Sequence, residues 1–306
     1  NTGENTLAAG INDLPGGTKI DLTKSGVGTW VLAGAGNYLG VTNINAGMLL
    51  VTNNTSLGVG GWDGTTMTNV LDGATLALRG GISLDEHMHV WGAGVGGLGA
   101  IRSLSGNNAL TIGGNNGTGF ALRSNTVVGV DADTLTVTGF YESGGSFGLT
   151  KVGTGTLVLT ANNAYTGGTT INRGTLQIGN GGGGSLAGGS AVVIAAGGRL
   201  VNATTNGNSL SLGALTITGG ELAATNTPAW DLGNFLLRGD VTIGGTVLST
   251  ISADVRVGFN EDRLFTVANV DGGSGVDLLI SGKIGHYNNN SLGYATKAGV
   301  GTMKIS

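Results

Sequence analysis

Apolar and polar residues alternate along most of this chain in short runs, as at Leu157/Leu159, Leu176/Ile178, Leu215/Ile217 and Val241/Ile243. A period of two is that of a strand with one face buried. Helical spacing is almost absent. The runs are rich in Thr, Val and Ile and are punctuated by Gly and Asn, which predicts strands of four to six residues joined by tight turns. A mark recurs between them: an apolar residue, turn residues, a glycine, a spacer and a second apolar residue. It stands at Ile44…Gly47…Leu49, Val70…Gly73…Leu76, Ile171…Gly174…Leu176, Ile194…Gly198…Leu200, Ile217…Gly220…Leu222 and Gly245…Val247. Gly174, Gly198, Gly220 and Gly245 follow one another at nearly even steps. A period of roughly 24 residues indicates a solenoid or a repeat array.

Longer copies choose between a stacked solenoid and a β-sandwich array. The stretch from Leu149 repeats, without a gap, one that begins at Leu22, and the two share Lys24/Lys151, Gly26/Gly153, Gly28/Gly155, Thr29/Thr156, Leu32/Leu159, Tyr38/Tyr165, Gly40/Gly167, Ile44/Ile171, Asn45/Asn172, Gly47/Gly174 and Leu49/Leu176. A third copy opens at Lys297. The interval from Lys151 to Lys297 exceeds that from Lys24 to Lys151 by the same step that separates Leu157 from Leu176. A whole coil can enter a solenoid without disturbing the coils beside it, whereas the same insertion would break a sandwich. The prediction is an all-β, single-stranded parallel β-helix (β-solenoid) of about 13 coils, which at about 4.8 Å per coil gives a rod on the order of 60 Å long. Residues 1–306 are read as one solenoid, with repeats at 22–58 and 149–186 and a truncated start at 297–306. Before Leu22 the chain is turn-rich, with one edge strand near Ile20 to Leu22 and a stop at Pro15-Gly16-Gly17. The Asn pairs at 53–54, 107–108, 115–116 and 162–163 are expected at corners, in the left-handed region that Asn tolerates.

The pattern K-x-G-x-G-T-L-x-L…N-x-Y-x-G-x-T-x-I-x-x-G-T-L over Lys151 to Leu176 resembles the passenger-associated β-strand repeat of bacterial autotransporters and related large surface proteins. The earlier copy departs from it at Trp30, Met48 and the Gly34-Ala35-Gly36 corner. The resemblance implies a right-handed β-helical passenger from a Gram-negative bacterium, exported through an outer-membrane β-barrel and located outside the cell or on the outer-membrane surface. It also implies that the repeat serves export and folding rather than catalysis.

Composition narrows the function classes. Glycine is used 63 times and proline twice, with no collagen period, so the glycines serve many tight corners and close backbone approaches. Charged residues are 10% of the chain and the formal charge is −4, which leaves no basic face for nucleic acid. There is no cysteine, hence no disulfide, thiolate metal site or Cys nucleophile. Apolar runs fall far short of the roughly 20 residues of a membrane-spanning helix, and the first residues lack the pattern of a signal peptide. The chain is therefore expected to be a mature or excised segment with no anchor of its own.

Candidate chemistry is sparse. His87 and His89 lie two apart on a strand and share a side with Trp91, a geometry suited to zinc or copper, but no further ligand is adjacent and the pair reads as a solvated strand face. Asp131 and Asp133 likewise share a face and suit calcium or an acid pair of the kind found in β-helix polysaccharide lyases, yet paired carboxylates usually only solubilise. Glu261-Asp262-Arg263 reads as a charged turn. Gly144 to Gly148 fits G-x-S-x-G, and Gly92, Gly94 and Gly97 fit G-x-G-x-x-G, but neither is followed by a helix. No catalytic, cofactor or metal residue is assigned. The expected function is a structural and adhesive segment that extends from the cell and presents a face to a host or surface glycan or protein receptor. Its exposed terminal coils are expected to associate end to end into filaments. The alternatives are a carbohydrate-active lyase or glycosidase and a toxin passenger.

Overall fold

The computed structural model describes residues 3–60, 66–112, 120–205, 209–225, 234–258, 261–285 and 293–306. Among them there is no α-helix, only short strands and one 3₁₀ turn at Val95–Gly97. The strands pair in parallel and wind into a β-solenoid of about 11 turns, where the repeat period predicted about 13. Some turns are longer than that period because loops extend them, as between Phe265 and its partner Lys297 on the next turn. The residues fall into two compact units, Asn1–Leu157 and Val158–Ser306.

The first unit has three faces. Its first face orders Glu4–Leu7, Thr29–Leu32, Gly47–Val51, Ala74–Arg79, Ile101–Ser105, Thr126–Val130 and Leu149–Val152; a second carries Ser83–Asp85, Asn108–Thr111 and Thr134–Val137; a third carries Leu22–Lys24, Thr42–Ile44, Thr68–Val70, Met88–Val90, Phe120–Leu122 and Phe140–Glu142. The second unit repeats the plan. One face stacks Thr169–Ile171, Val192–Ala195, Leu215–Thr218, Val241–Ile243, Arg263–Val267 and Ala295–Ala298. Strand Glu4–Leu7 was not expected, because N-T-L is too short an alternation to stand out.

Cohesion comes from columns of like residues pointing inward. In the first unit Leu49, Leu76, Ile101 and Val128 pair in sequence, with Lys151 next in the column. In the second, Val192, Leu215, Val241 and Phe265 form one column and Ile194, Ile217, Ile243 and Val267 another. All of these apolar side chains are buried. Each contributes roughly 1.5–3 kcal/mol relative to exposure. The glycine series follows the same register only in part. Gly174 pairs with Gly198, and Arg199 with Glu221, which sets Gly198 over Gly220; but Glu221 pairs with Thr250, so Ser249 and not Gly245 takes the next place.

One copy of the long repeat closes a turn and lays the next turn on it. Leu22–Lys24 pairs with Thr42–Ile44, and Thr29–Leu32 pairs with Met48–Val51 of the following strand. Lys24 is buried, and its Nζ donates to the carbonyls of Ser25 at 3.1 Å, Gly26 at 2.7 Å and Ala46 at 2.8 Å, tying the corner of one turn to that of the next. Lys151 repeats the arrangement toward Val152 and Gly153, its methylene stem filling the aliphatic column, and Lys297 donates to Gly299. The glycine two residues after each lysine is left-handed, with φ of 74° at Gly26, 82° at Gly153 and 80° at Gly299. Tyr38 and Tyr165 are fully buried, and each hydroxyl hydrogen-bonds a threonine hydroxyl four residues on, Thr42 at 2.6 Å and Thr169 at 2.8 Å. Gly47 sits where a side chain cannot: φ is 69°, and a Cβ would lie 2.5 Å from Gly26 O and 2.6 Å from Gly28 O.

Two sequence expectations are corrected. The interval from Lys24 to Lys151 is not a whole number of turns, because Leu22–Lys24 stands on the third face and Leu149–Val152 on the first. Turn length also varies, from the short step between Thr29 and its partner Met48 to the longer one between Leu49 and its partner Leu76, so the match with the Leu157 to Leu176 step marks no inserted coil. The described Asn pairs do lie at corners, yet Asp133 is the one non-glycine residue with positive φ among the described residues. The asparagines work through their amides instead. Asn108 Oδ1 accepts from Gly81 N and Ile82 N of the preceding turn, and Asn163 Nδ2 donates to Ser185 O of the following one. Asn115 and Asn116 lie outside the described residues.

One buried acid among the described residues is held protonated. Glu86 is 3% exposed and accepts from the Thr68 hydroxyl at 3.2 Å, and burial pushes its carboxyl up from the usual 4.5 to about 8. Below pH 4.5 both folded and unfolded chains hold this proton; between 4.5 and 8 only the folded chain does, so stability falls as pH rises through that window.

Replacing Gly47 by alanine is expected to cost about 3 kcal/mol or more, and Gly73→Ala, where φ is 77° but nothing lies within 4 Å, about 1 kcal/mol; urea unfolding of the two variants reads the difference. Glu86→Gln is expected to remove a decline on the order of 5 kcal/mol between pH 4.5 and 8, measured as melting temperature against pH for the variant and its parent.

Candidate functional site

The third face of the first unit turns one column of side chains outward: Thr23, Asn43, Asn69, His89, Ala121 and Tyr141 pair in that order. Their strand neighbours point inward, where the Phe120 and Phe140 rings lie 6.0 Å apart. Asn69 Nδ2 donates to Asn43 Oδ1 at 2.9 Å, forming an amide ladder between successive turns. On the next turn His87, His89 and Trp91 share the outward side, as the sequence predicts, all half-buried. The rings meet edge to face, with centroids 5.5 Å apart for the histidines and 6.0 Å for His89 and Trp91.

Arg123, from the turn after that, reaches across this surface. Its Nη2 is 3.1 Å from His89 Nε2, and its Nη1 donates to Ser143 Oγ at 2.9 Å, one turn further on. The guanidinium thereby spans the turn to which fully buried Ala121 belongs. Its Nε is buried and has no hydrogen-bond partner among the described residues. Burial, then the Arg123 charge, then His87 bring His89 down from 6.5 to about 4; burial and Arg123 lower His87 as well. Both rings are neutral at physiological pH. A neutral ring suits a metal, but here a cation donates into His89, and among the described residues no group of three His, Cys, Asp or Glu side chains gathers.

Two segments, residues 22–51 and 149–178, match the family described as Passenger-associated-transport-repeat. These two segments are passenger-associated repeats. The adhesin BmaC autotransporter of Brucella suis biovar 1 (strain 1330) is 48% identical over 58 residues, 19% of this chain and 2% of that protein. The chain thus spans a very small part of the relative it matches. No solved structure matches it. The matched segments are the ones whose lysine, glycine and tyrosine build the corners, so passenger-repeat identity resides in the scaffold. The outward face lies mostly between them in sequence. The corner at Lys297 has the same lysine and left-handed glycine, although the family match does not extend to it.

The remaining candidates lie outside the matched segments. Asp131 and Asp133 do not share a strand face: they occupy the corner after Val130. Asp131 is gripped by Arg102 through Nε and Nη2, the closest contact being 2.7 Å, and Asp133 Oδ2 accepts from Gly106 N at 2.8 Å. Glu261 pairs with Arg263, and Asp262 Oδ1 accepts from Tyr294 N. Gly144 to Gly148 links two strands, Phe140–Glu142 and Leu149–Val152, and Gly92 to Gly97 leads into the 3₁₀ turn, so neither glycine motif opens a helix. Sequence reasoning missed Arg123 and Ser143. They stand one and two turns beyond His89, and unequal turn lengths hide which residues stack.

Titration of His89 by NMR is expected to give a midpoint near 4, and Arg123→Gln to raise it in part, burial still holding it below 6.5.

Proposed function

We propose that this chain is a structural and adhesive segment of an autotransporter passenger, displayed at the cell surface or secreted, whose outward faces meet a host or surface receptor. What carries this reading is the division of labour in each turn. Inward columns and corner lysines supply the cohesion, so outward positions vary at little cost to folding. The relative is itself named an adhesin. End-to-end association through open strand edges belongs to the same reading, since an unpaired edge recruits further strands. A carbohydrate-active role has less behind it: Asp131 and Asp133, the acids suited to it, are held by Arg102 and a backbone amide.

Beads coated with the chain are expected to adhere to epithelial monolayers above beads carrying an unrelated β-rich protein, and light scattering is expected to rise with concentration as copies join. Equal adhesion of both bead types would remove the adhesive reading, and strictly monomeric material would remove the assembly.

A further inference from the structure

Four of the eight arginines among the described residues pair with carboxylates. Arg79 pairs with Glu4, Arg102 with Asp131, Arg199 with Glu221 and Arg263 with Glu261. Arg123 differs. It meets a neutral ring and the Ser143 hydroxyl and carbonyl, and no carboxylate pairs with it among the described residues. Leaving its Nε buried without an acceptor is costly, because a desolvated donor forfeits its hydrogen bond to water. A guanidinium presents its donors as a planar fork that fits a carboxylate with two parallel bonds.

The surroundings specify what carries that carboxylate. The His89 and Trp91 rings stand on the turn beside Arg123, and Tyr141 lies on the turn beyond it. Aromatic faces of this kind stack against the C–H faces of sugar rings. The Asn43–Asn69 ladder continues the same column and offers amide donors and acceptors, a match for hydroxyl groups. These groups repeat at the strand spacing of about 4.8 Å along the column, which suits a chain molecule lying across the turns. An acidic peptide would use the arginine but leave the rings and the amide ladder without hydroxyl-bearing partners.

We propose that this face binds an acidic polysaccharide lying across the strands, with a sugar carboxylate on Arg123, a sugar ring against Trp91 and His89, and hydroxyls along Asn43 and Asn69. The inference rests on the adhesive reading and gives it a ligand class. Because Nε is buried, the guanidinium swings away from His89 and Ser143 so that the carboxylate takes Nε and Nη2.

Calorimetry on the full chain with polygalacturonate oligosaccharides, their methyl esters and polyglutamate tests it. Tight binding of the free acid alone is expected, weakening with salt, with Arg123→Gln lowering affinity at least tenfold and Trp91→Ala several-fold. Arg238→Gln, in the second unit, is expected to leave it unchanged, and thermal unfolding is expected to show all three variants folded. Equal binding of the methyl ester, preferential binding of polyglutamate, or parental affinity in Arg123→Gln overturns the proposal. If coated beads adhere to cells while no acidic saccharide binds, the ligand inference fails and the adhesive reading stands. If the beads do not adhere either, both fail.

Discussion

Everything in this molecule depends on parallel strands lying in register, so that each inward side chain rests on its equivalents one turn before and after. A parallel ladder satisfies the backbone groups of an inner strand through its two neighbours, and the side-chain columns then exclude water from the space between faces. Corners must bend the chain sharply while keeping the ladders aligned, which is why left-handed glycines follow the motif lysines. Elsewhere a second backbone passes where a Cβ would be, as Ile20 O does 2.1 Å from the Cβ position of Gly40.

Corners also leave carbonyls without strand partners, and the repeat answers this with a buried lysine. The ammonium of Lys24 gathers three such carbonyls from two successive turns while its stem packs among aliphatic neighbours. Lys151 gathers the carbonyls of Val152 and Gly153 from an apolar column, where burial lowers its amine from 10.5 to about 8. The module is indifferent to which face it occupies: its lysine strand lies on the third face in the first copy and on the first face in the second. Tolerance of that kind follows from local construction, since each copy stacks on itself.

The outward surface is subject to weaker demands, and the chain uses the freedom unevenly. Val31, Leu50 and Ala77 stack on the outside of the first face and are buried with Met48 and Leu104, a small satellite core. The third face carries amides, imidazoles, an indole and a guanidinium. Glu86 lies inside the turn whose outer side bears His87 and His89, and burial acts on them in opposite senses. It keeps the acid protonated and the rings neutral, so Glu86 weakens the fold as pH rises above 4.5 and His89 weakens it as pH falls below 6.5.

The sequence by itself determined the strands, the solenoid and the repeat, because alternation and glycine corners are local and recur. Leu215/Ile217 and Val241/Ile243 announce their burial in the sequence alone, as does the shared side of His87, His89 and Trp91. Tertiary structure alone decided which residues stack, because turns of unequal length erase any fixed spacing between partners. That is why Ser249 replaced Gly245 in its column, why Asp131 and Asp133 parted to separate partners, and why Arg123 came to rest on His89. Local pattern sets what each turn is made of; only the pairing of one turn on the next sets what its outer surface becomes.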